Sequence, residues 1–570
     1  MREVWALFAL LSRLLSARRA DDDRWNTRPA KAHVLAVART LTSATRVMDV
    51  LPLLRPQDGI ELYITVNPGS AFTAGLDAYL ESLDGITVLS WHEAVHRSFD
   101  LAVACTAHRS MHRLQAPLVV LPHGAGYNRL VRPTTGDGHS PAGLSRHELT
   151  WRGRLVPAVI GLSHEEQAER LRSAFPEALE RTRVVGDPCF DRILESLTER
   201  DRYRQLLGAV AGRKLVVVSS TWSEHSLLGR SPGLPLRLVR ELPVDEYAVA
   251  VVLHPNIWAR HNPLGLLREA QESGLLVIPP RSGWQAALVA ADWVVGDHGS
   301  VSFYGAALDR VTLLAATGEQ ELDPRSPSYA FGRGAPALDV DGPLEQQLRQ
   351  AAEAHDRSRL AALTDRSLGE RGQSARILRE ILYSYLAAVD EPKDDPWPTP
   401  YADPVPVDAG RATAYDVLGE ATAEGVRIRR YPVGPDHTAA RGFYAVTAGE
   451  SRLRRLQSAE VIARTEARAE PEPLVWLEQT AARLPGLAVA VAALDEDRHL
   501  VRLRSGAVLE ARAVRTWGSA TPRLDPVVLG SALAVWQAAN PGAEPAAAEL
   551  VIVTAQRAVV RFTARPAGQS

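Results

Sequence analysis

Short apolar runs, each followed by a longer segment with helical spacing, recur in two successive series along this chain. The first series is HVLAVA (33–38), IELYITV (60–66), ITVLSW (86–91), LAVAC (101–105) and PLVVLPH (117–123). The second is KLVVVSS (214–220), YAVAVVLHP (247–255), LLVIPP (275–280), DWVVGDHGS (292–300) and VTLLAA (311–316). Runs this short and this rich in Val, Leu and Ile read as strands buried on both faces, and their alternation with helices predicts parallel sheets covered by helices. Helices are expected around Met48–Leu54, Leu76–Leu83, Gly283–Ala291 and Ser302–Leu308, and within GLSHEEQAERL, where Ser163 and Glu166 have capping-box spacing. At 570 residues the chain is too long for a single core. The two series therefore imply two Rossmann-like α/β lobes, residues 31–200 and 201–390, with the crossing near 190–213.

From Glu391 the sequence EPKDDPWPTPYADPVPVD breaks both periodicities and marks a Pro/Asp-rich linker over residues 391–406. Beyond it, LAVAVAALDEDRHLVRLRSG, AVLEARAVRTW and ELVIVTAQRAVVRFTAR have the pattern of hairpin strands, with helical stretches at Pro473–Leu484 and Val527–Ala539. Residues 407–570 are thus expected to form a smaller α+β domain. At the other end, Val4–Leu15 is apolar but interrupted by Arg13 and too short to cross a bilayer. Residues 1–30 are expected to hold an amphipathic helix, packed on the first lobe or resting weakly on a membrane surface, with a signal peptide as the remaining alternative.

Composition narrows the partners. A formal charge of −2 gives no broad positive field for a nucleic-acid backbone. Two cysteines, Cys105 and Cys189, make neither a disulfide framework nor a zinc cluster, and they fit a reducing cytoplasm.

In an open α/β sheet, ligands sit beyond the carboxyl ends of the strands, and three segments place a histidine or a small-residue turn there: LPHGAGYN, VLHPN and VVGDHGS. A single histidine in such a place is more often structural; three at corresponding strand ends point to a site. His123, followed by Gly124, has the ordinary pKa of a general base for a hydroxyl nucleophile. His254, held at a strand tip by Pro255, is placed to donate to a phosphate oxygen. In GDHGS, Asp297 and His298 end the strand, Gly299 permits close approach, and Ser300 opens a helix whose first amides favour an anion. The plainer reading of that turn is an ordinary helix start with Ser300 as N-cap. SSTW ends the second series' first strand in the same way, placing Thr221 for phosphate and Trp222 to cover a bound donor.

The order of these motifs resembles that of the CDP-glycerol glycerophosphotransferase family, the teichoic-acid polymerases and their relatives. The matching segments are His123-Gly124, Gly186–Asp191 (Gly-x-Pro-x-x-Asp), Thr221-Trp222, His254-Pro255 and Asp297-His298-Gly299-Ser300. The resemblance implies a GT-B fold and transfer of a polyol-phosphate or glycosyl unit from a nucleotide-diphosphate donor to a hydroxyl acceptor, polymeric or lipid-linked, at the inner face of the membrane. It implies His123 as base, His254 and Ser300 on the donor phosphates, CMP as leaving group, and neither a tightly bound cofactor nor a metal. The chain departs from the family at Gly299, where a serine is usual, at Asn128, where a lysine is common, and at Tyr304, where an acidic residue stands. Two other functions remain open: an enzyme similar to UDP-N-acetylglucosamine 2-epimerases, for which Asp187 and Asp191 are the nearest carboxylates, and a non-catalytic nucleotide-sugar sensor or scaffold.

Overall fold

HVLAVA has no polar alternation because every residue of strand β1 (Ala32–Ala38) is buried, as the central position of a doubly covered sheet requires. Around it lie β2 (Ile60–Val66), β3 (Thr87–Leu89), β4 (Leu101–Ala104), β5 (Leu118–Val120), β6 (Val159–Leu162) and β7 (Thr182–Val184), in the order β3-β2-β1-β4-β5-β6-β7. All six pairings are parallel. The second sheet repeats the plan with β8 (Lys214–Ser220), β9 (Tyr247–Leu253), β10 (Leu276–Ile278), β11 (Trp293–Gly296) and β12 (Val311–Leu314), again all parallel, in the order β10-β9-β8-β11-β12. In both lobes the strand order reverses at the first strand, so the loops after β1 and β4, and after β8 and β11, diverge and open a crevice.

The computed structural model describes residues 29–564 apart from 71–72, 74, 132–137, 395–398, 408–409, 435–441, 515–523, 544 and 546–548. The helix expected at Val4–Leu15 and part of the linker lie outside these residues. Among the described residues no helix is long and apolar enough to cross a membrane.

Several helices are displaced from their expected positions by local capping. The first α-helix runs Leu41–Val47, started early by the reciprocal capping box of Thr40 and Ser43, and the expected segment Met48–Leu54 holds only a 3-10 turn, Leu51–Leu53. Helix Glu165–Ala174 is capped by His164, whose side chain accepts from Glu166 N–H, and not by Ser163. After the second sheet the chain returns to the first lobe: Leu378 and Leu382 of helix Ser374–Tyr383, with Leu386 and Val389 beyond it, join the core formed by Val34, Leu51 and Leu54.

The C-terminal region is a closed barrel. Its strands are β13 (Ala414–Thr422), β14 (Gly425–Pro432), β15 (Phe443–Thr447), β16 (Ala459–Arg464), β17 (Val489–Ala493), β18 (Arg498–Leu503), β19 (Val508–Val514), β20 (Glu549–Val553) and β21 (Arg557–Ala564). They close in the order β13-β14-β20-β21-β19-β18-β17-β16-β15. All nine contribute residues to one core with helix Pro526–Ala539. The first eight residues of that helix, Pro526–Leu533, are all buried, which suits a helix whose N-terminal half is enclosed by strands rather than laid upon them. The period-2 pattern of β17 divides accordingly: Val489 and Val491 face the enclosed helix, while Ala490 and Ala492 pack with Leu477 of helix Pro473–Arg483 outside.

Candidate active site

The divergent loops of the two lobes face each other across a cavity of about 380 Å³. From the first lobe it receives Thr40, Thr42, Thr45 and Arg46 after β1, Thr106 after β4, and His123 to Arg129 after β5. From the second come Ser219 to Trp222 at the end of β8 and just past it, His254 to Asn256 after β9, Pro280 and Trp284 after β10, and His298 to Val301 after β11. Of the residues expected from sequence, His123, Gly124, Thr221, Trp222, His254, His298, Gly299 and Ser300 share this one cavity, whereas Asp297 stands behind its wall. Among the described residues lining the cavity are two arginines and three histidines, but no aspartate or glutamate.

The lobes touch where the sequence put small residues. A Cβ on Gly124 would sit 2.6 Å from Ser300 Oγ, and the Ala125 N–H donates to that hydroxyl oxygen at 3.1 Å. Ser300 is therefore not an N-cap. Gly299 holds that position without a side-chain cap, so the first amides of helix Ser300–Ala307 are left for another acceptor. The glycine has its own reason: a Cβ there would lie 3.1 Å from both Thr221 Cβ and Asp297 Oδ1, so a serine would push the Thr221 loop away.

Asp297 is fully buried and organises backbone. Its Oδ2 accepts from Thr221 N–H and Leu227 N–H, each at 2.9 Å, and Oδ1 accepts from Gly299 N–H at 3.0 Å. It fixes the loops after β8 and β11 without reaching the cavity. His298 likewise turns its imidazole to Glu321, with Nε2 3.1 Å from Oε2.

His123 opens to the cavity but is surrounded by protein, and this burial, with the Arg129 and Arg46 cations, holds its pKa below the ordinary histidine value. The nearby Cys105 backbone acts in the opposite sense. His254 caps helix Pro255–Arg260: its Nδ1 accepts from Asn256 N–H at 3.1 Å, which leaves the proton on Nε2. Burial, then Arg129 and His123, push its pKa down to about 3. His254 is thus a neutral donor, and its ring is expected to stay in the Nε2–H form from about pH 5 to 8. Imidazole ¹⁵N shifts across that range test this, and a titration near pH 6 would refute the assignment.

Arginines 46 and 129 were not singled out in the sequence. Applied evenly, the strand-end rule that found His123 also covers Thr40-Leu41-Thr42 after β1 and Thr106 after β4. Arg129 spans the lobes. Its guanidinium meets Glu321 Oε2 at 3.1 Å and lies over the Trp222 ring at 4.8 Å, and Leu130 N–H donates to the Glu321 carbonyl. Burial opposes ionisation of Glu321, but the bond from His298 and the Arg129 charge prevail and bring its pKa down to about 2.

The carboxylates near the lobe junction serve the framework. Asp187 Oδ1 caps helix Pro188–Glu195, and Oδ2 accepts from the Tyr304 hydroxyl at 2.6 Å; burial, opposed by that bond, raises its pKa to about 6. Asp191 accepts from Gly372 N–H (2.7 Å) and Ser374 N–H (2.9 Å), anchoring the helix that returns to the first lobe. Tyr304 lines the cavity with its ring, stacked between Phe190 and Trp284, while its hydroxyl points into the framework. Among the described residues no group of three or more His, Cys, Asp or Glu is placed to hold a metal ion.

No family model matches the chain, and no curated protein matches it. Among solved structures it is similar to the wall teichoic acid polymerase TagF, with a TM-score of 0.44 at 12% identity over 67% of this chain and 97% of that one. It is also similar to S. aureus MnaA in a co-structure with UDP, with a TM-score of 0.40 at 12% identity over 64% of this chain and 100% of that one. A third is a putative UDP-N-acetylglucosamine 2-epimerase from Listeria monocytogenes, with a TM-score of 0.40 at 14% identity over 65% and 100% of the two chains. The chemistry of this cavity is a matter of its own side chains.

Proposed function

We propose that the chain is a GT-B-type transferase that takes a polyol-phosphate or glycosyl unit from a nucleotide-diphosphate donor and passes it to an acceptor hydroxyl. The observation that carries this reading is an interlobe cavity that gathers Arg46, Arg129, His123, His254 and the uncapped start of helix Ser300–Ala307, with no carboxylate among the described residues of its wall. Such a cavity favours an anion, and among the described residues that line it His123 is the group suited to accept a proton from a hydroxyl at neutral pH. His123 takes the acceptor proton as the hydroxyl oxygen attacks the donor. His254 Nε2–H, the first amides of helix Ser300–Ala307 and the two guanidiniums meet the negative charge that grows on the phosphates as the nucleotide departs. With a CDP-glycerol-like donor the attack falls on the distal phosphorus and CMP leaves.

The 2-epimerase reading has less support, because Asp187 and Asp191 are engaged in helix caps and framework bonds away from the cavity. The test is a panel of CDP-glycerol, CDP-ribitol and UDP-sugars, read by melting shifts and then by release of nucleotide with an added acceptor. A melting shift from at least one nucleotide and release only with acceptor are expected. No shift from any of them overturns the proposal, and isomerised sugar without acceptor favours the epimerase.

A further inference from the structure

Residues 399–407, from within the compositional linker to the first residue beyond it, are seated across both lobes. Arg192 Nε donates to the Thr399 carbonyl at 2.7 Å, Tyr401 N–H donates to Ser196 Oγ at 2.9 Å, and the Tyr203 hydroxyl donates to the Tyr401 carbonyl. Further along, Asp403 pairs with Arg202 at 2.7 Å and Val407 N–H donates to the Val277 carbonyl at 2.7 Å. The Tyr401 side chain is buried, with Arg192 over its ring at 4.1 Å and its hydroxyl donating to Asp49 Oδ1 at 2.9 Å.

Asp49 is the carboxylate against which a cavity arginine is set. Arg46 Nη1 lies 3.0 Å from Asp49 Oδ2, and both side chains are under 10% exposed. Arg192 Nη1 shares Oδ1 with Tyr401, at 3.1 Å. The Arg46 guanidinium lies over Trp284 at 5.3 Å, and both residues line the cavity. The carboxylate is thus held through Oδ1 by two donors, Arg192 on the helix at the lobe junction and Tyr401 on the C-terminal strap, and presents Oδ2 to the Arg46 guanidinium of the first helix as an ion pair.

We propose that Tyr401 is a positioning residue for the cavity: through Asp49 it fixes the Arg46 guanidinium for a phosphate-bearing ligand, so that the strap leading to the barrel completes the binding site. The inference rests on the transferase reading for its ligand and on the bond geometry for its mechanism. An arginine side chain has several rotatable bonds, and its value to a phosphate depends on being held in place before binding. Without the tyrosine hydroxyl, Oδ1 is left to Arg192 alone, the carboxylate turns toward it, and Arg46 loses its fixed counter-group.

The experiment measures calorimetric affinity for CDP and for inorganic pyrophosphate in the full chain, with Tyr401→Phe, Arg46→Met, the double variant and Tyr203→Phe. Tyr401→Phe is expected to weaken binding about fivefold, the worth of one hydrogen bond. It should weaken nothing further on the Arg46→Met background, because the two act in series. Tyr203→Phe cuts an anchor of the strap without touching Asp49 and should bind as the wild type does. Wild-type affinity in Tyr401→Phe, or effects of Tyr401→Phe and Arg46→Met that add in full, overturns the proposal. A second readout is the Arg46 Nε–H resonance of the ligand-free protein, which should move in Tyr401→Phe and stay in Tyr203→Phe; the reverse overturns it. Because that readout needs no ligand, a wild type that binds no nucleotide sinks the transferase reading while the positioning role is judged separately.

Discussion

His123→Ala is expected to lower turnover by about 10² to 10⁴-fold, the usual contribution of a positioned base, with nucleotide affinity and melting temperature close to those of the wild type. The side chain opens to the cavity and its removal strips no core contact, so the loss reads as chemistry and not as unfolding. The pH dependence follows from the direction of the pKa. Burial and the neighbouring arginines disfavour the imidazolium, and the Cys105 backbone does not fully offset them. The base is the neutral ring, whose fraction grows as pH rises through the lowered pKa. Turnover should therefore climb at a pH below the ordinary histidine value of about 6.5 and be level through neutrality. In His123→Ala that limb disappears. A wild-type profile whose rise is centred above pH 7, or a variant with near-normal turnover, assigns the proton to another group.

What the sequence made legible, and what it hid, divides on physical grounds. Doubly buried strands announce themselves: HVLAVA, KLVVVSS and YAVAVVL became β1, β8 and β9 because nothing polar survives on either face of a covered parallel sheet. The strand-end rule then brought His123, His254 and Ser300 together, since every such loop leaves its sheet on the same side. The sequence did not reveal which small polar residues are engaged by other groups. Asp297 and His298 stand in the same motif as Ser300, yet one binds backbone amides and the other binds Glu321, a partner 23 residues away. Arg46 was hidden for a related reason: its role depends on Asp49 and on Tyr401, which is 352 residues from Asp49 in sequence. In sequence the barrel shows only hairpin strands, because closure is a property of register. Strands β17 to β21 carry hairpin signals, whereas the parallel neighbours β15, β16 and β17 have no local turn to join them.

Arg430→Met is expected to be the most destabilising single change at the junction of barrel and second lobe, at about 3–5 kcal/mol, the cost of leaving a buried charge without its partner. Arg430 sits on β14 with only 6% of its side chain exposed, and it meets Asp245 of the second lobe, 8% exposed, through Nη2 at 2.6 Å and Nε at 3.0 Å. The same guanidinium reaches Asp525 at 3.0 Å, whose Oδ1 also accepts from Val527 N–H and Val528 N–H at the start of the enclosed helix. One cation therefore ties the lobe to the barrel wall and to the cap of the helix inside it. Burial works against ionisation of Asp525, but Arg430 and those amides hold its pKa below the usual carboxylate range. Its stabilising share is thus in place above about pH 4 and is lost as pH falls through the lowered value, so acid should loosen the barrel first. In a chain of several domains the loss belongs to both sides of the pair, so the calorimetric transition of the barrel and that of the lobe holding Asp245 should both fall in Arg430→Met. Removing Asp245 as well, in Arg430→Met/Asp245→Asn, should recover part of the loss, because the penalty lies in the stranded carboxylate more than in the missing attraction. A single variant that melts with the wild type, or a double variant no better than the single, means that the barrel is held by its apolar contacts and β14 backbone pairing, with the ion pair incidental.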